Sequence, residues 1–420
     1  MKKDTIVFIN RFPLGKLFEE NIEFNRFEKA GYQLVYLDLS PYYYPETYEK
    51  FGSANKEYVV NKEWFLKCQT KELVLECINR YSRVAWFYVL HRQVSYQIDE
   101  MWLYRAFRKY KCDYILQDFL PVPVGSIGQE QDLRLVRYFF GKTLRIFSSF
   151  RFKHFLERGG SWFSTFLMGR DIYFQQPAYC FASGNKSYNL FKRFFPKSRI
   201  IRIPSIDYFK YHRMISNLGS KRSDKIPLYD YLLYIDQSVF DSPDAKLVGN
   251  HMISKDVFFK KINRFFYQLE KVTGKRVVIA ATSRYRYKGS EYGGRDIIYD
   301  RTAALTYYAN LVIVHSSAAL NYAVVMHKPL LFLQMNDFDN YVVKNIKTFA
   351  ALLHKKVIDS DENFDMAKLN EISMVSHEVY DCYVSNYITH EPFEMSPAEI
   401  VIATLKENGT KILLSGYWLS

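Results

Sequence analysis

The chain has 420 residues, 58 Lys and Arg against 44 Asp and Glu for a formal charge of +14, and 48% hydrophobic with 24% charged residues. That composition excludes a disordered or collagen-like chain, and five cysteines without CxxC spacing exclude a disulfide-stapled one. At roughly 100 to 200 residues per domain, the length fits two domains.

In chain order, residues 5–10 form a short apolar run, Leu14 to Ala30 carries apolar residues at helical spacing, Gly31 stops it, and Tyr32 to Leu39 is a second run. This is the strand, helix, strand opening of a parallel layout. Further runs at 83–90, 113–117, 179–182 and 199–203 alternate with helix-like stretches such as 98–110, and together they predict a first α/β lobe. The polar, aperiodic stretch 216–230, with Gly219 and Pro227, reads as a linker. Beyond it, strands are expected at 231–235, 276–281, 296–299, 311–314, 330–333 and 356–358, with helices at 256–273, 301–309, 318–327 and 338–354. Near-continuous apolar strands alternating with helices imply parallel sheets covered on both faces. The predicted fold is α/β, two doubly wound Rossmann-like lobes in tandem: 1–220, 221–395, and a C-terminal helix or tail over 396–420. Ligands of such sheets bind at the carboxyl ends of the strands, so function is sought there.

Cys68, Cys77, Cys112, Cys180 and Cys382 read as buried free thiols of a reducing compartment. The start MKKDTIVFIN lacks the h-region of a signal peptide, and no window offers the ~18 apolar residues of a spanning helix, so a cytoplasmic protein is expected. The aromatic content of 18% suits wet interfaces and sugar clefts, and equally follows from codon usage rich in Phe, Tyr, Lys and Asn, so it identifies no ligand.

Chemistry concentrates after two predicted strands. The run Leu311–Val314 leads into His315-Ser316-Ser317 and then a helical pattern; serines, backbone amides and the positive end of a helix there cap the helix or hold a phosphate. The run 276–281 leads into Thr282-Ser283-Arg284-Tyr285-Arg286-Tyr287-Lys288-Gly289-Ser290 with Gly293-Gly294-Arg295 downstream, hydroxyls and cations suited to an anion cradle or to a solvated loop.

The order of strand, basic loop, Gly294-Arg295, helix, strand ending in Ser316-Ser317, helix, Lys328-Pro329 and strand resembles the carboxyl-terminal lobe of GT-B-fold glycosyltransferases. It is most similar to bacterial surface-polysaccharide enzymes related to sialyl- and Kdo-transferases, whose HP and SS motifs hold the donor phosphate. Ser316 and Ser317 match the SS motif, whereas Thr282-Ser283 stands at the HP position, followed by a matching Arg284. Residues 234–237 look like the opening strand of a donor lobe, and residues 181–186 with 203–208 look like the last strands of a first lobe; the resemblance covers about 180–335. It implies donor contacts from Thr282, Ser283, Arg284, Arg286, Arg295, His315, Ser316, Ser317, Asp236 and Gln237, and a nucleotide-sugar co-substrate, a CMP-linked sugar foremost, with no other cofactor.

A base for an acceptor hydroxyl is expected at a strand end of the first lobe. Asp118, which follows the run 113–117, Glu19 and Glu20, which follow the loop 10–15, and Asp38, near the end of the second run, are the candidates, Asp118 and Glu20 foremost. Asp337-Phe338-Asp339 spells DxD, but two carboxylates are a weak metal signal and no histidine spacing suits zinc, so no metal is expected. Residues 134–158 interleave cations with phenylalanines and suit an anionic membrane surface, a helix packed on its own lobe, or a single nucleic-acid strand. The expectation is a metal-independent glycosyltransferase moving a sugar, a nonulosonate or Kdo-like one among the candidates, to a lipid-linked or surface glycan at the inner membrane face, with no nucleic-acid partner. The alternatives are a CDP-polyol phosphotransferase-like enzyme, with His315 as its histidine, and a non-catalytic basic scaffold.

Overall fold

The computed structural model describes residues 3–51, 62–91, 98–118, 174–216, 226–242, 246, 251–281 and 285–407. Two parallel sheets organise it. The first contains β1 (Thr5–Asn10), β2 (Gln33–Asp38), β3 (Phe65–Lys67), β4 (Ala85–His91), β5 (Tyr114–Asp118), β6 (Tyr179–Ser183) and β7 (Arg199–Ile203), in the spatial order β3-β2-β1-β4-β5-β6-β7. The second contains β8 (Tyr231–Ile235), β9 (Arg276–Ala281), β10 (Ile297–Tyr299), β11 (Leu311–Val314), β12 (Leu330–Gln334) and β13 (Val357–Asp359), in the order β10-β9-β8-β11-β12-β13. The strand order reverses at β1 in one sheet and at β8 in the other, which makes each a doubly wound Rossmann-like lobe.

The strands are apolar throughout because both faces of each sheet are covered. Along β1, Val7 and Ile9 point into one buried cluster while Ile6 and Phe8 point into the other, and β2 divides in the same way, Val35 and Leu37 against Leu34 and Tyr36. The helical pattern expected over 14–30 is broken into the helices Lys16–Ile22 and Phe24–Lys29 by Glu23, whose φ of 57° places it in the left-handed region. The three-residue edge strand β3 was not predicted; its side chains are half-buried or exposed, so it has no hydrophobic run to betray it.

The chain returns to the first lobe at its end. After the helix His377–Tyr383 and a π-turn over Val384–Ile388, the helix Pro397–Glu407 lies on the first sheet, with Ile400, Val401 and Leu405 buried beside Phe24 and Phe27. Ser396 and Glu399 begin it with a reciprocal cap, Glu399 N–H donating to Ser396 Oγ at 3.2 Å and Ser396 N–H to Glu399 Oε2 at 2.8 Å. Arg26 of the first lobe adds an ion pair to Glu399.

The lobes also touch where the helices after β7 and β11 begin. Asn321 Nδ2 donates to Asp207 Oδ2 at 3.0 Å, and Tyr383 Oη donates to Asn321 Oδ1 at 3.2 Å. Both helices start from carboxyl ends of strands, so the carboxyl edges of the two sheets look toward one another across this contact. Four of the cysteines are buried thiols as expected, while Cys382 is exposed because it lies on the outer side of the helix His377–Tyr383. Among the described residues, no helix is long and apolar enough to cross a membrane.

Candidate functional site

The second sheet changes direction between β8 and β11, and a crevice opens at the carboxyl ends of strands flanking such a point. Asp236 and Gln237 leave β8 there, and His315, Ser316 and Ser317 leave β11. Gln237 bridges the two strands: its Oε1 accepts the Ser316 N–H at 2.7 Å. The helix after β11 does not begin at once, as the sequence suggests. A turn intervenes, with Ser317 Oγ accepting from Ala319 N at 3.2 Å, and the helix spans only Leu320–Val325. In this turn the N–H groups of Ser317 and Ala318 have no hydrogen-bond acceptor among the described residues, and both residues are half-exposed. Neighbouring backbone amides and hydroxyls of this kind are groups with which proteins bind anions.

The other expected donor contacts divide. Asp236 is buried and already saturated: its carboxylate accepts from Tyr287 Oη at 2.5 Å, Tyr292 Oη at 3.1 Å and Ser238 N at 2.9 Å. It anchors the loop after β9 rather than facing a ligand, so Asp236 and Gln237 tie the loops after β9 and β11 to β8. Arg286 is exposed, its guanidinium 4.8 Å from the Tyr299 ring centroid. Arg295 lies elsewhere. Its guanidinium forks onto Glu270 at 2.9 and 2.6 Å, and Glu270 Oε1 also accepts the Val277 N–H at the amino end of β9. Because Arg295 is held at the edge of the sheet opposite the crevice, it is a structural ion pair and not a donor contact. Thr282, Ser283 and Arg284 lie outside the described residues, as does the basic stretch 134–158.

His315 is fully buried, in edge contact with the rings of Phe338 at 4.9 Å and Tyr234 at 5.5 Å between centroids. Its Nδ1 lies 2.6 Å from the Leu333 carbonyl oxygen, which makes Nδ1 the donor of the neutral imidazole, and burial pushes its pKa down to about 4. It packs behind the crevice and offers no proton to it. Since the unfolded chain takes up this proton near pH 6.5 and the folded chain refuses it down to about 4, His315 costs stability as pH falls through that window. His315→Gln is expected to flatten the fall of melting temperature between pH 7 and pH 4.5; an unchanged slope in thermal melts would contradict this burial.

The DxD residues are taken up by the fold: Asp337 pairs with Lys261, and Asp339 Oδ1 caps the helix Asn340–Leu352 by accepting Tyr341 N–H at 2.7 Å. Among the described residues, no cluster of three His, Cys, Asp or Glu side chains could hold a metal ion.

No family model matches this sequence, and no curated protein matches it. Solved structures do. The UDP-GlcNAc 2-epimerase from Methanocaldococcus jannaschii is 12% identical over 97% of this chain and 99% of its own, with a TM-score of 0.44. The glycosyltransferase SnogD from Streptomyces nogalater is 11% identical over 97% and 99%, with a TM-score of 0.49. The wall teichoic acid polymerase TagF, as an H444N variant, is 13% identical over 97% and 89%, with a TM-score of 0.48. At these identities and scores the likeness is one of overall layout and is silent on chemistry.

On the first-lobe side, Asp118 ends β5 at the carboxyl edge, only 5% exposed. Burial pushes its carboxyl up to about 7, and the hydroxyl of Ser187, which donates to Asp118 Oδ2, opposes the rise. A carboxyl raised toward neutrality at the carboxyl end of a strand is a candidate for general base work. Glu20 is exposed on the helix Lys16–Ile22 and lacks that environment. Ser187 carries no signal in the sequence: it lies in the helix Gly184–Phe194, and only the packing of that helix against β6 and β7 brings it to Asp118.

Proposed function

We propose that this chain is a glycosyltransferase that holds a nucleotide-sugar donor on the second lobe and transfers its sugar to a glycan or lipid-linked acceptor on the first. The observation that carries the reading is the turn after β11, where the free N–H groups of Ser317 and Ala318 stand beside the Ser316 and Ser317 hydroxyls at the switch point of the second sheet. Such amides match the charge that develops on a departing nucleotide phosphate, the task a metal performs in other sites. Arg286, and Thr282, Ser283 and Arg284 in the sequence after β9, supply further hydroxyls and positive charge. Asp118 is the group proposed to take the acceptor proton, and a nonulosonate or Kdo-like sugar linked to CMP is the proposed donor class. The His315-dependent phosphotransfer alternative loses support from the burial of that ring.

Thermal melts with CMP, CDP, UDP, GDP and dTDP, with and without magnesium, test the reading, because a ligand bound only by the folded state raises the melting temperature by mass action. One nucleotide is expected to stabilise the chain without magnesium, by about 2.7 kcal/mol at a hundredfold excess over its dissociation constant, and Ser317→Ala to lose most of that gain. Absence of any shift across the panel would sink the proposal.

A further inference from the structure

We propose that Ser187 is a positioning residue for Asp118: its hydroxyl donates to Asp118 Oδ2 and holds the carboxylate, charged and oriented, as the proton acceptor at the carboxyl edge of the first sheet. The inference rests on the reading of Asp118 as the base and adds the group that makes it one. Asp118 is buried at the end of β5. The strand beside it, β4, places His91 opposite it in register, and β6 leads through Ser183 into the helix that carries Ser187 between Lys186 and Tyr188. Among the described residues, no charged group acts on the Asp118 carboxyl; burial and the Ser187 hydroxyl are the influences on it. An isolated carboxylate in so dry a place would keep its proton through neutral pH and could not accept another. A hydroxyl aimed at one oxygen stabilises the charged form, and it also fixes the side-chain rotamer so that the other oxygen is directed elsewhere. Ser187 itself is buried and sits one turn into the helix Gly184–Phe194, so its hydroxyl has little freedom to turn to water.

The helix that bears Ser187 is also the one that meets the chain's crossover from the second lobe. A Cβ at Gly184, three residues earlier, would lie 2.6 Å from the Asn386 carbonyl carbon and 2.7 Å from Tyr387 N. The first turn of the helix that carries Ser187 is therefore packed closely against the crossover.

The test is a carbon-13 NMR titration of the full-length chain labelled at aspartate carboxyls, the Asp118 resonance being assigned by its loss in Asp118→Asn. In the wild type the resonance is expected to titrate near pH 7. In Ser187→Ala the midpoint should rise by about one pH unit, the worth of a hydrogen bond to a charged group, and in Ser187→Thr, which keeps the hydroxyl, it should stay near the wild-type value. If Ser187→Ala does not fold, Ser187→Cys, a much weaker donor, should give a smaller rise in the same direction. An unmoved midpoint in the variants without the hydroxyl, or a wild-type midpoint near 4, overturns the proposal. The titration needs no donor, so a failed nucleotide panel with a shifted midpoint rejects the transferase reading and leaves the Ser187–Asp118 pair standing, while the reverse result rejects the pair alone.

Discussion

Gly184→Ala is expected to be among the most damaging single substitutions in this chain, lowering stability by about 4 kcal/mol or more in thermal or denaturant melts. Two costs combine. Gly184 has φ +73°, a conformation that charges an L side chain about 1–2 kcal/mol. The added Cβ would also overlap the Asn386 carbonyl, closer to its oxygen than to its carbon at 2.6 Å, and backbone cannot step aside as the end of a side chain can. Gly31→Ala is the internal control. Its φ is +90° but nothing lies within 4 Å of the added carbon, so only the conformational cost applies. Equal losses in the two variants would show that the crossover is not seated on Gly184.

The same junction ties the two separately wound sheets together. Ser205 N–H donates to the Ile388 carbonyl at 2.8 Å, so the π-turn Val384–Ile388 is stitched to the start of the helix Ile206–Ser216 as well as to Gly184. Asp207, on the first turn of that helix, meets Asn321 from the other lobe, and Asn321 is in turn held by Tyr383 just before the π-turn. Burial raises the Asp207 carboxyl above its ordinary value, opposed by Asn321, Lys210 and Tyr322. Asn321 follows the turn of Ser317 and Ala318 within a few residues. The Asn321 N–H donates to the Ala318 carbonyl at 3.0 Å, so the contact between the lobes lies directly beside this turn.

The layout was legible because both sheets are buried on both faces: runs such as Leu311–Val314 and Val277–Ala281 admit few readings other than interior strands, and each expected strand is found within a residue or two. The site was legible only as a region. His315-Ser316-Ser317 does end β11 at the switch point, yet nothing in those letters shows that the imidazole turns into an aromatic cage while the amides after it stay free. Arg295 illustrates the converse. Its place in a Gly-Gly-Arg sequence resembles a ligand loop, but its partner Glu270 lies on the preceding helix, and a long-range pair of that kind leaves no periodicity to read. Asp236 stands at a strand end, and its tyrosine partners at 287 and 292 come from the loop after β9 folding back over it, which no local pattern announces.

Gln237→Glu isolates the charge requirement of the proposed donor site with almost no change of shape. The glutamate that replaces Gln237 can still accept the Ser316 N–H, now as a carboxylate, so the link between β8 and β11 is kept and the melting temperature without ligand should move little. What changes is a unit of negative charge beside the free amides of Ser317 and Ala318. At about 6 Å and an effective dielectric constant of about 20, a like charge costs a bound phosphate between about 2 and 3 kcal/mol, or a loss of affinity of about 30- to 150-fold. The nucleotide that stabilises the wild type should therefore give almost no shift with this variant, and raising the salt concentration should recover part of it, because the half-exposed turn is open to screening. Gln237→Ala makes the opposite error: it frees the Ser316 N–H, loosens the turn and lowers the unliganded melting temperature, but brings no repulsion. If Gln237→Glu binds the nucleotide as tightly as the wild type does, the phosphate is not at the end of β11, and the donor must be sought elsewhere on the carboxyl edge.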